Sequence, residues 1–98
     1  MNILQQQLEE SDGWSLYNTD RNVFIYTKSV YNYKAGRLST IYLRIVLIEE
    51  DSIEELSIEE SWMEDIEVKN KKIALFYIEI PMETIDKIVD SYIGELPF

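Results

Sequence analysis

The sharpest alternation of apolar and polar positions runs over residues 38–48. There Ile41, Leu43, Ile45 and Leu47 form one apolar row, and Thr40, Tyr42 and Arg44 line the other before Val46 and Ile48. The stretch is rich in β-branched residues and free of Gly and Pro, so it predicts a central strand with one face in the core and the other half covered. Residues 73–80 repeat the device. Ala74, Phe76, Ile78 and Ile80 fall on one face and Ile73, Leu75, Tyr77 and Glu79 on the other, which predicts a second strand of the same sheet.

The remaining elements follow from turn signals and helical spacing. Residues 2–10 predict a short helix with Ile3, Leu4 and Leu8 on its inner side, stopped at Ser11-Asp12-Gly13. Residues 14–17 and 22–30 predict two strands around the polar turn 18–21, and residues 32–37, with Gly36, predict the hairpin into the central strand. Ser52 followed by Glu55 has the spacing of a capping box, which predicts a helical turn over 52–57. A last hairpin pairs 61–68 with 73–80 across Lys69-Asn70-Lys71-Lys72, and Pro81 ends it. Beyond Pro81 the stripe Met82, Ile85, Ile88, Val89, Tyr92, Ile93 and Leu96 predicts the clearest helix of the chain, closed by Gly94 and Pro97. The expected fold class is α+β: an antiparallel, meander-like sheet of about five strands, with an N-terminal and a C-terminal helix covering the face of Ile41, Leu43, Phe76 and Ile78.

At 98 residues the chain has room for one domain and one core, spanning 1–98. No apolar run is long enough to cross a bilayer, and Met1 leads into a polar, Gln-rich segment without a secretory pattern, so a cytoplasmic location is expected. Charge changes the picture more. The net charge of -10 is confined to the second half of the chain. Residues 1–48 hold Glu9, Glu10, Asp12 and Asp20 against Arg21, Lys28, Lys34, Arg37 and Arg44, whereas residues 49–67 hold acids and no base at all. That tract consists of Glu49, Glu50, Asp51, Glu54, Glu55, Glu59, Glu60, Glu64, Asp65 and Glu67.

Candidate chemistry is thin. The chain contains no Cys and no His, which removes thiolate nucleophiles, sulfur ligands, and the usual neutral-pH base and transition-metal ligand. Three glycines leave no phosphate or dinucleotide loop and no nucleophile elbow. No Asp-x-Asp-x-Asp-Gly loop marks a calcium site. No catalytic residue, metal or cofactor is therefore expected. Arg44 and Glu79, lone charges in apolar strands, predict a cross-strand ion pair between Tyr42 and Tyr77. Lys28, Tyr31, Tyr33, Lys34 and Arg37 interleave bases with aromatics, but the overall acidity opposes a phosphate backbone, so no direct nucleic acid contact and no membrane contact are expected.

What remains is binding. Carboxylates projecting from a folded surface attract a basic partner, and a fixed array can imitate nucleic acid; the same tract also reads as a face that merely solubilises. Trp62 and Met63 lie inside it, and on a strand they point to opposite faces, so one of them faces away from the core as an anchor rimmed by acids. The ten acids with Trp62 and Met63 are the expected partner-binding set. The expected function is that of a small acidic antagonist that neutralises a basic, nucleic-acid-handling protein by occupancy. A toxin immunity protein and a phage-encoded inhibitor of a bacterial defence nuclease, of the anti-CRISPR kind, are the two forms of that role. The alternative is a self-associating structural or regulatory module, possible as a homodimer, with no inhibitory role.

Overall fold

The structure is a computed structural model that describes residues 2–49 and 52–94. Its elements are α1 (Ile3–Glu10), β1 (Ser15–Asp20), β2 (Val23–Asn32), β3 (Arg37–Leu47), β4 (Ile53–Glu64), β5 (Glu67–Phe76) and α2 (Met82–Ile93). The strands pair antiparallel in the order β1-β2-β3-β4-β5, the expected meander. Both helices pack on one face. Leu4 and Leu8 of α1 and Ile85, Val89 and Ile93 of α2 close over Tyr26, Ile41, Leu43, Ile45, Leu47, Leu56 and Ile58 of the three inner strands. Among the described residues no helix is long and apolar enough to cross a membrane.

Local chemistry fixes the ends of the elements. The Asn2 side chain accepts from the Gln5 N–H at 2.9 Å and so caps α1. With the start set there, Leu4 and Leu8 form the inward line. Ile3 falls about 100° round the helix from Leu4 and is exposed, against the expectation that it packs inward. Helix α2 follows Pro81 and ends at Gly94, whose φ of 81° is the left-handed conformation that glycine adopts without a Cβ penalty. The expected continuation of its stripe to Leu96, and the stop at Pro97, lie outside the described residues. The carbonyl of Ile93 accepts from the Tyr33 and Lys34 N–H groups at 2.8 and 3.2 Å, which docks the end of α2 on the β2–β3 turn.

The second half of the sheet departs from expectation. Residues 52–57 form no helical turn: β4 runs unbroken from Ile53, with Leu56 and Ile58 inward, because burying that pair against β3 outweighs a local capping box. The last turn is not 69–72. It is Asp65-Ile66, where Asp65 takes φ 57° and Glu64 pairs directly with Glu67. Lys69, Lys71 and Lys72 therefore lie within β5, which ends at Phe76 rather than Ile80. Ala74 and Phe76 pack on the core as expected, but Ile78 lies beyond the strand and is exposed. Glu79 is exposed too, and the expected Arg44–Glu79 pair does not form. Arg44 meets Glu55 instead, at 3.0 Å, because the register places β4 and not the end of β5 beside it.

Val89, fully buried on α2, tests this packing. Val89→Ala removes two carbons from a dense core and should cost about 2 kcal/mol, measured by urea unfolding.

Candidate functional site

Register and side-chain alternation sort the acidic tract onto different surfaces. The inward row of β4 reads Leu56, Ile58, Glu60, Trp62, and the outward row Glu55, Ser57, Glu59, Ser61, Met63. Glu60 thus occupies a core position and is 0% exposed. This corrects its expected place on a binding surface: it cannot touch a partner while the protein is folded.

A buried carboxylate survives only with its lone pairs satisfied, and the fold brings four residues from three elements to Glu60 for that purpose. Oε2 accepts from Asn32 Nδ2 at 2.9 Å, from Ser39 Oγ at 2.6 Å and from Arg37 Nε at 3.1 Å. Oε1 accepts from Arg37 Nη2 at 2.6 Å and from the Tyr92 hydroxyl at 2.6 Å. Arg37 is therefore bidentate, and its guanidinium lies 3.5 Å from the centroid of the Trp62 ring. Burial pushes the Glu60 carboxyl upward, but the bonds from Arg37, Asn32, Ser39 and Tyr92 together reverse this and hold it at about 2, below its ordinary 4.5. Burial first, and then the bond to Glu60, push Tyr92 up to about 12. The bond to Glu60 likewise keeps Arg37 more firmly protonated than usual.

These bonds occupy both oxygens of Glu60 and tie the end of β2, the start of β3, the middle of β4 and α2 into one unit. Nothing in the local sequence marked it, because its members stand 21 to 32 residues from Glu60. The available signal was the position of Glu60 two residues after Ile58, on the core row of a strand.

The other described acids of the tract divide into two groups. Glu49, Glu54 and Glu55 lie near the start of β4, and Glu64, Asp65 and Glu67 at its end; at about 3.3 Å per residue the twelve residues of the strand hold them roughly 30–40 Å apart. Glu55 is paired with Arg44, and Glu67 with Lys69 at 2.8 Å. Glu59 stands between the groups, opposite Lys72 in the register. Glu54, Glu59, Glu64 and Asp65 make no ion pair with a described residue. Glu50 and Asp51 lie outside the described residues. Among those described, no three Asp or Glu side chains are close enough together to share a metal ion.

Of the Trp62–Met63 pair, Met63 faces outward and is 60% exposed, while Trp62 lies partly buried beneath Arg37. The basic and aromatic residues near the β2–β3 turn are largely engaged inside the molecule. Lys28 lies 3.6 Å from Asp86, Tyr31 and Tyr33 meet edge to face at 5.1 Å, and Arg37 belongs to Glu60. On the uncovered face of the sheet, a shallow depression of about 290 Å³ is lined by Ile25, Tyr42, Arg44, Ser57, Glu59 and Ser61, among others. A groove of about 650 Å³ continues from it between the start of β3 and the end of β4.

Comparison with protein families, with curated proteins and with solved structures finds no match to this chain.

Proposed function

We propose that this protein acts by occupancy, as a cytoplasmic antagonist that docks on a basic, nucleic-acid-handling protein and blocks it, in the manner of a toxin immunity protein or a phage-encoded inhibitor of a defence nuclease. The observation that carries this reading is the set Glu54, Glu59, Glu64 and Asp65, spaced along β4 and into its turn, none of which makes an ion pair with a described residue. Fixed carboxylates of this kind steer a cationic partner and keep a wrong one away. Their spacing favours pairing with individual Lys and Arg side chains over imitation of nucleic acid. Five residues of strand separate Glu54 from Glu59 and Glu59 from Glu64, about 16 Å each, whereas a nucleic acid strand carries a charge about every 3.4 Å along its axis.

The test is purification of the protein with its partner from the native host, followed by assay of the partner's activity on nucleic acid with and without this protein. A basic nuclease or nucleic-acid-binding protein whose activity is lost on addition is the expected result. Association should slow steeply as salt is raised toward about 1 M, where screening shortens to about 3 Å. Reversing Glu54, Glu59, Glu64 and Asp65 to Lys should lower the association rate more than reversing Glu9, Glu10, Glu79 and Glu83, four exposed acids elsewhere. Equal losses would leave only a net-charge effect.

A second reading, self-association, is favoured by the uncovered sheet face, where Leu38 and Met63 stand in solvent. Sedimentation of the isolated protein over a range of concentrations separates it from the first.

A further inference from the structure

Resting on that reading of a cationic partner, we infer that docking is centred on the turn end of the uncovered sheet face, and that its occupant is a partner segment in which Lys or Arg stands beside an aliphatic or aromatic anchor. The register sets Tyr31 beside Leu38 across β2 and β3, and Met63 beside Val68 across β4 and β5, all four on the uncovered face. Leu38 is 78% exposed and Val68 61%. Isolated exposed apolar residues are ordinary on a protein surface, but these two pairs, three of whose members line one groove, form a patch of the kind that partners cover.

The patch also has a concavity to receive an anchor. Pairing between β3 and β4 stops at Thr40 and Ser61, although β3 begins at Arg37 and β4 continues to Glu64. The two unpaired extensions flank the groove of about 650 Å³, whose lining includes Leu38, Met63, Val68, Trp62 and Arg37. Met, Trp and Arg are residue types enriched where interfaces concentrate their binding energy. The Glu60 network holds the Arg37 and Trp62 wall in place, so the groove is formed before a partner arrives.

Charge selects the occupant. Glu59, Glu64 and Asp65 border this end without an ion-pair partner among the described residues, and Lys72, across from Glu59, makes no ion pair with it. A symmetric contact with a second copy would set the same carboxylates against each other in a pair of molecules each of charge -10. A cationic segment meets neither penalty.

The experiment is a titration of isotope-labelled protein with three short synthetic peptides, alternating Lys with Leu, Lys with Ser, and Glu with Leu. The Lys–Leu peptide should shift the resonances of Leu38, Met63 and Val68 first, and should bind about tenfold or more tightly than either of the others. Leu38→Asp and Met63→Asp, both at exposed positions, should weaken it about tenfold with an unchanged unfolding midpoint, and Glu64→Lys with Asp65→Lys should do the same. Binding that these acid reversals abolish but Leu38→Asp and Met63→Asp leave intact would overturn the epitope while the cationic-partner reading stands. Failure of both Lys peptides to bind would overturn that reading and the epitope with it. Equal binding of the Glu–Leu peptide, or a dimer of the free protein that Leu38→Asp dissolves, would also overturn the inference, the dimer in favour of a second copy.

Discussion

Glu60→Ala is expected to destabilise the protein by about 3–5 kcal/mol, the loss found when one partner of a buried ion pair is removed and the other is left uncompensated. The reason lies in what the carboxylate leaves behind. Arg37 would keep its charge with no counterion at the site, and the side chains of Asn32, Ser39 and Tyr92 would lose their acceptor. In a domain of this size the melting temperature should fall by at least about 12 °C. Glu60→Gln keeps the shape and one acceptor oxygen, so its loss should be smaller. Tyr92→Phe, which removes one donor and leaves the rest, should cost about 1–2 kcal/mol. Glu59→Ala, one position away on the outward row, should stay within about 0.5 kcal/mol. A Glu60→Ala loss no larger than that of Glu59→Ala would mean that the network does not hold the fold together.

The elements that the sequence revealed are those in which one periodicity ran without interruption. β3 and α2 have clean apolar rows, and β2 and β3 are joined by a glycine turn, Gly36 at φ 70°. The β4–β5 hairpin was misread because three local signals pointed the wrong way. The Ser52–Glu55 spacing imitates a helix start, the run Lys69-Asn70-Lys71-Lys72 imitates a turn, and the real turn at Asp65-Ile66 contains neither Gly nor Pro. Glu60 compounded this by placing a charge on the apolar row, where the alternation Leu56, Ile58, Trp62 would otherwise have shown a strand. The candidate site was legible in part for the same reason. That Trp62 and Met63 face opposite ways follows from strand geometry alone, but which of them faces outward depends on the row of Leu56 and Ile58, which Trp62 continues and which the charge of Glu60 disguises.

The buried network also changes what the acidic tract can do. Ten carboxylates in nineteen residues suggest one continuous field, but β4 spreads Glu54, Glu55, Glu59, Glu60 and Glu64 along its length and across both of its faces. Glu60 is sealed in the core, Glu55 and Glu67 are matched by Arg44 and Lys69, and the described acids without an ion pair are sparse. Sparse carboxylates such as the described ones give orientation and encounter rate more than holding power, because exposed pairs contribute little each. Retention of a partner must then come from apolar contact, which is why the exposed patch at the turn end, and not the acids alone, is the surface to mutate first.

The stability difference between the wild type and Glu60→Gln should itself depend on pH, closing by about 3 kcal/mol as pH falls from 6 to 2. Glu60 has a folded value of about 2 against an ordinary 4.5, so its pKa is depressed by folding. A depressed acid contributes stability in full above its unfolded value and loses it as pH falls through its folded value; a gap of this size corresponds to about 3 kcal/mol. The window is therefore between about 4.5 and 2. Every other carboxylate is common to both proteins, so its effect cancels in the difference, and the change reads Glu60. The opposite arm tests its neighbour. Tyr92 is pushed up to about 12, so the stability tied to its neutral hydroxyl is complete below its ordinary 10 and is lost as pH rises toward the folded value, a loss that Tyr92→Phe should abolish. Urea midpoints of the three proteins at closely spaced pH values read both arms. A wild-type to Glu60→Gln difference that stays constant down to pH 2 would mean that folding does not hold the Glu60 carboxyl below its ordinary value, and one that grows as pH falls would mean that Glu60 is protonated in the folded protein.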